Sequence, residues 1–159
     1  MNMLAKKKAE QIKKYVDFDV VDENWSAYEL EDDAIIRIKS VLMNIEELIL
    51  NKNKKGKLNL GAQLLTTVYS SPSHKREEGK VWTVEELENA IIKPNMKFNT
   101  IKDGGSARYK TGKGLITIRH ILKRIDKTSK FDIQGNPAYI IRSENEVLIE
   151  GPHTSSKKT

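Results

Sequence analysis

Apolar residues along this chain recur chiefly at every second position, in runs bounded by Gly, Asn, Asp and Pro. That period predicts half-buried strands rather than amphipathic helices. The clearest runs carry Ile36, Ile38 and Leu42, then residues 58–69, then Ile116, Ile118 and Leu122, then residues 138–149. One segment reads differently. Thr83 and Glu86 form a capping-box pair, and Val84, Leu87 and Ile91 follow at helical spacing, so a short helix is expected over residues 83–93, ending before Pro94.

Sliding the chain on itself by 80 residues places Phe18 on Phe98, Ser26 on Ser106, Ala27 on Ala107, Ile36 on Ile116, Ile38 on Ile118, Leu42 on Leu122 and Ile45 on Ile125. Seven identities in the 28 positions from 18 to 45 exceed the roughly two that ordinary residue frequencies give. The expectation is a tandem duplication in which each copy is a short helix followed by strands. Residues 3–15 would be the first copy's helix, and the offset would slip to about 79 downstream, where Gly56 and Gly135 open the closing strands.

In the long strands Ile36, Ile38 and Leu42 share one alternating face, while Val41, Met43 and Ile45 fall on the other. A strand with apolar residues on both faces is expected to bend and pass between sheets. The fold expected is mainly β with short helices (α+β), a tandem pair of small curved barrels whose architecture resembles the Sm-like and SH3-like barrels. That resemblance carries over no site residues. The organisation expected is residues 1–70 for the helix and first barrel, a polar linker over 71–80, residues 81–151 for the helix and second barrel, and a flexible tail over 152–159.

The absence of cysteine removes disulfides, thiolate metal sites and thiol nucleophiles. No apolar run approaches the ~20 residues that span a bilayer, and the basic start lacks the apolar stretch of a secretory signal, so a cytoplasmic protein is expected. The stretch from Gly104 to Gly114 does not match a phosphate-binding loop, because glycine and a strand-like run follow Lys113. It reads as a hairpin turn. Glu31, Asp32 and Asp33 occupy the matching turn of the first copy and read as a solvated acidic tip. His120, which aligns with Ser40, reads as a partly buried histidine. No catalytic constellation, cofactor motif or metal-ligand spacing is present, and a non-enzymatic protein is expected.

Charge is the informative feature. The net charge is +6, and residues 97–130 hold ten Lys and Arg against only Asp103 and Asp126. Because neighbouring antiparallel strands carry them, Arg108, Lys110, Lys113, Arg119, Lys123, Arg124 and Lys127 are the candidate nucleic-acid contacts, with Tyr109 and Phe131 near enough to stack on bases. The function expected is a nucleic-acid-binding accessory protein, with RNA or a ribonucleoprotein favoured over DNA. The alternative is a structural or adaptor protein that binds proteins or copies of itself. Its motive is the opposite charge of the two equivalent turns, which could join molecules head to tail.

Overall fold

The computed structural model describes residues 12–49, 56–75 and 79–151. Ten strands dominate: β1 (Ile12–Tyr15), β2 (Phe18–Asp22), β3 (Ser26–Leu30), β4 (Ile35–Ile49), β5 (Lys57–Tyr69), β6 (Ile91–Lys93), β7 (Phe98–Lys102), β8 (Ala107–Thr111), β9 (Gly114–Phe131) and β10 (Pro137–Glu150). They form two open five-stranded antiparallel sheets and no closed barrel, which corrects the expected architecture. β4 is the spine of the first sheet. β5 runs along one of its edges, while β3 and β1 share the other, at its beginning and its end. β9 is the spine of the second sheet in the same way, with β10 on one edge and β8 and β6 on the other.

The outermost strands are exchanged. β2 leaves its own segment and pairs with β8, and β7 pairs with β3. The exchange is reinforced by two edge-to-face ring pairs, Phe18 with Tyr109 and Tyr28 with Phe98, each with centroids 5.7 Å apart. Two backbone bonds repeat as well: Val16 N–H donates to the Ile45 carbonyl at 3.0 Å, and Met96 N–H to the Ile125 carbonyl at 2.7 Å.

Register also defines which positions correspond. Tyr28 lies opposite Ile36 and Tyr109 opposite Ile116. Tyr28 therefore corresponds to Tyr109, and Ser26 to Ala107 rather than Ser106. The ungapped sequence match misses this because two one-residue changes cancel. The loop before β8 is one residue longer than the loop before β3, and the turn Gly112-Lys113 is one shorter than Glu31-Asp32-Asp33. For the closing strands Leu60 opposes Ile45 and Ile141 opposes Ile125, an offset of 81 rather than 79.

A bulge resolves the two-faced pattern of β4. Leu42 opposes Ala62 but Asn44 opposes Gly61, leaving Met43 unpaired. The extra residue reverses the alternation, so Leu42 and Ile45 both point inward and Met43 stays exposed. Lys123 is the extra residue at the same place in β9. Each spine stays within its own sheet rather than passing between sheets, but runs from one core to the other. Ile36 and Ile38 pack with Tyr28, Leu30, Met96 and Ile125, whereas Leu42 and Ile45 pack with Ala107, Tyr109, Ile116 and Ile118. Both cores thus draw on residues before and after the 71–80 segment.

The predicted helix is α1 (Val84–Glu88), and its capping box is complete: Thr83 Oγ1 accepts from Glu86 N–H at 3.1 Å, and Thr83 N–H donates to Glu86 Oε1 at 2.9 Å. It ends early because residues 91–93 pair with β9. The matching helix expected over 3–15 fails at its described end. Residues 12–15 form β1, which pairs with β4, and residues 3–11 lie outside the described residues. The expected tail at 152–159 lies outside them too.

Candidate functional site

The outer face of the β8–β9 hairpin carries Arg108, Lys110 and Arg119, as the alternation predicted, and all three are exposed. The strands on either side supply carboxylates. Asp22 opposes Arg108 and Asp19 opposes Lys110 from β2, and Glu146 opposes Arg119 from β10. Five of the seven predicted contacts are committed to ion pairs. Arg108 binds Asp22 with Nε at 2.5 Å, Lys113 reaches Glu47 at 3.2 Å, and Lys123 reaches Glu144 at 3.6 Å. Arg124 binds Asp126 at 2.7 Å and Lys127 binds Asp32 at 2.8 Å. Lys110 and Arg119 have no carboxylate partner among the described residues.

Asp126 is fully buried and also accepts from Asn95 N–H at 2.7 Å and Arg142 Nε at 3.0 Å. Burial alone would raise its pKa, but the bonds from Arg124, Asn95 and Arg142 outweigh that and hold it below the usual carboxylate range. Arg124 is therefore a structural cation.

The two hairpin turns explain their opposite charges within one molecule. The first docks on the other segment: Asp32 accepts from Lys127 and from the Tyr139 hydroxyl at 2.6 Å, and Glu31 binds Lys93 and accepts from Lys97 N–H at 2.6 Å. The second docks reciprocally, Lys113 on Glu47. Glu47 stands where Lys127 stands in the other spine, so the pair recurs with its charges reversed. The acidic turn is thus docked through Glu31 and Asp32 rather than a solvated tip.

Tyr109, proposed as a stacking residue, is fully buried. Its hydroxyl donates to Glu23 at 2.7 Å and accepts from Leu42 N–H at 3.1 Å, and burial followed by Glu23 pushes its pKa up. His120 is 8% exposed, as expected of a partly buried histidine, with Tyr28 Oη and Ser40 Oγ each 3.5 Å from its ring nitrogens. It forms one wall of an open cavity of about 180 Å³, shared with Ser26, Phe98, Thr100, Asp103 and Arg119.

Sequence reasoning missed a second cationic surface, on the outer face of the first sheet. Lys102 opposes Ala27, and Ala27 opposes Arg37, so the two cations lie in one row across β7, β3 and β4. The Trp25 ring packs on Arg37 and Lys39, 4.6 Å from the Arg37 guanidinium carbon and 5.2 Å from Lys39 Nζ. Lys39 also reaches Glu23 at 3.7 Å, whereas Arg37 and Lys102 have no carboxylate partner among the described residues. The alternation of Arg37 and Lys39 in β4 was a legible signal. Its connection to the second segment was not: the Gly104 amide donates to Ser26 Oγ at 2.9 Å, bringing the loop after Lys102 against the Trp25 backbone. A Cβ at Gly104 would sit 2.7 Å from the Trp25 carbonyl oxygen, so this approach needs glycine.

Among the described residues no group of three or more metal-ligating side chains converges, and no helix is long and apolar enough to cross a membrane. Comparison with protein-family models, curated proteins and solved structures finds no match for this chain.

Proposed function

We propose that the protein is a non-enzymatic nucleic-acid-binding accessory protein, serving structured RNA or a ribonucleoprotein, whose chain arose by tandem duplication of one β unit. The observation that carries the binding reading is the row of Lys102 and Arg37 across the outer face of the first sheet, with Trp25 packed on Arg37. These cations have no carboxylate partner within the described chain, so a phosphate need not displace one. Two strand spacings separate Lys102 from Arg37, about 10 Å, which suits successive phosphates of a strand lying across the sheet. A guanidinium packed on an indole presents a flat cationic surface to a base.

Of the residues singled out in the second segment, Arg119 and Lys110 remain binding cations in this reading, while Arg108, Lys113, Lys123, Arg124 and Lys127 hold the fold. Replacing Arg37, Lys102 and Arg119 together by Ser should weaken binding to unrelated RNA sequences alike. The log–log salt slope should fall by up to about 2, at ~0.7 per single-strand phosphate contact. Arg108→Ser with Lys113→Ser and Lys123→Ser is the matched control, since all three cations are already neutralised. Equal impairment of the two variants, or none in either, removes this site. The second reading, a structural protein that assembles with copies of itself, is favoured by one observation, the edge of β5, which carries no charged residue from 58 to 69.

A further inference from the structure

β5 is a 13-residue strand at the edge of the first sheet, and among the described residues it pairs only with β4. Long edges of this kind invite pairing with another chain, and proteins usually blunt them with charge, proline or a bulge. β10, the corresponding edge of the second sheet, follows that rule. Its Arg142, Glu144 and Glu146 stand where β5 has Gly61, Gln63 and Leu65. From residue 58 to 69 β5 has no charged residue and no proline, and the bulge beside it lies in β4. At its far end the edge is closed by Asn136 Nδ2, which donates to the Val68 carbonyl at 3.2 Å. The open run is therefore 57–67.

We infer that this edge pairs antiparallel with the same edge of a second copy of the chain, about a two-fold axis at Ala62, joining the two first sheets into one continuous sheet. The register is self-complementary. On the core-facing side Leu60 meets Leu64 of the second copy and Ala62 meets itself, and on the other side Gly61 meets Gln63. Lys57, the only charge in the run, meets Thr67, so no like charges oppose each other. Eleven paired residues form roughly ten backbone hydrogen bonds, as many as a standard interface carries. Apolar surface continues past the end of the run, where exposed Val81 and Ile133 line a groove with Thr66 and Trp82.

This inference is independent of nucleic-acid binding and is tested on the nuclease-treated 159-residue chain by sedimentation across a dilution series. The expected species has twice the 18.1 kDa of one chain. Ala62 is exposed, so Ala62→Lys and Ala62→Glu keep the monomer fold, which circular dichroism checks. Each variant alone places like charges at the axis and should sediment as a monomer. Mixed in equal amounts they should recover the dimer, as a 1:1 hetero-pair. The inference fails if the native protein is monomeric. It also fails if it grows beyond a dimer, as pairing of β5 with β10 would allow, if either variant still dimerises alone, or if the mixture stays monomeric.

Discussion

Ser40 and His120 occupy the same position in β4 and β9 and meet each other, Ser40 Oγ lying 3.5 Å from His120 Nδ1. The two spines cross at this point, and the difference between the residues makes the crossing sensitive to protons. Burial first, and Arg119 in addition, push the His120 pKa below 6.5, with Asp103 opposing. The unfolded chain therefore takes up the proton at a higher pH than the folded chain. Stability should be full above the unfolded value and decline as pH falls through it toward the folded one. The urea midpoint should drop between about pH 7.5 and about pH 5.5, and His120→Asn should flatten that drop. Asp32 and Asp126 have lowered pKa values, so their contributions are lost only in more acidic solution. An unchanged slope in the variant would show that His120 is not the group responsible.

The charge-reversed pairs should differ in strength. Asp32 and Lys127 are 13% and 19% exposed, and Asp32 has further donors in Tyr139 and the Ala34 amide. Asp32→Asn should cost about 2 kcal/mol, between the values for surface and buried pairs. Lys113 is half exposed, and Lys113→Ala should cost under about 1 kcal/mol. Urea titration of both variants gives the ranking, and the reverse order would contradict the docking of the acidic turn.

Ile38 and Ile118 are 0% and 1% exposed and lie in different cores. Truncating either to Ala should cost about 2 to 5 kcal/mol. Because each core contains residues from both segments, both variants should shift one common transition rather than separate early and late ones. Two resolved transitions, each moved by one variant, would show that the cores unfold independently.

Trp25→Ala tests the proposed interface by a route other than charge. Loss of a stacking surface should weaken RNA binding by about 1 to 3 kcal/mol, and the salt slope should stay as in the native chain because no cation is removed. Trp25→Phe should retain most of the affinity. A fall in slope without a fall in low-salt affinity would argue against stacking.

The sequence by itself determined what depends on neighbours along the chain. Period-two burial of Ile36, Ile38, Ile116 and Ile118, the Thr83–Glu86 capping box and the tight turn at Gly112-Lys113 follow from steric and hydrogen-bonding rules acting over two to four residues. Tertiary structure decided what depends on partners far away. The exchange of β2 and β7, the match of Tyr28 with Tyr109, and the pairing of Asp32 with Lys127 across 95 residues leave no local trace. The same limit governed the candidate site. A run of cations is visible in sequence, but whether each one faces solvent or a carboxylate depends on which strand lies beside it, and that is settled only when the sheets assemble.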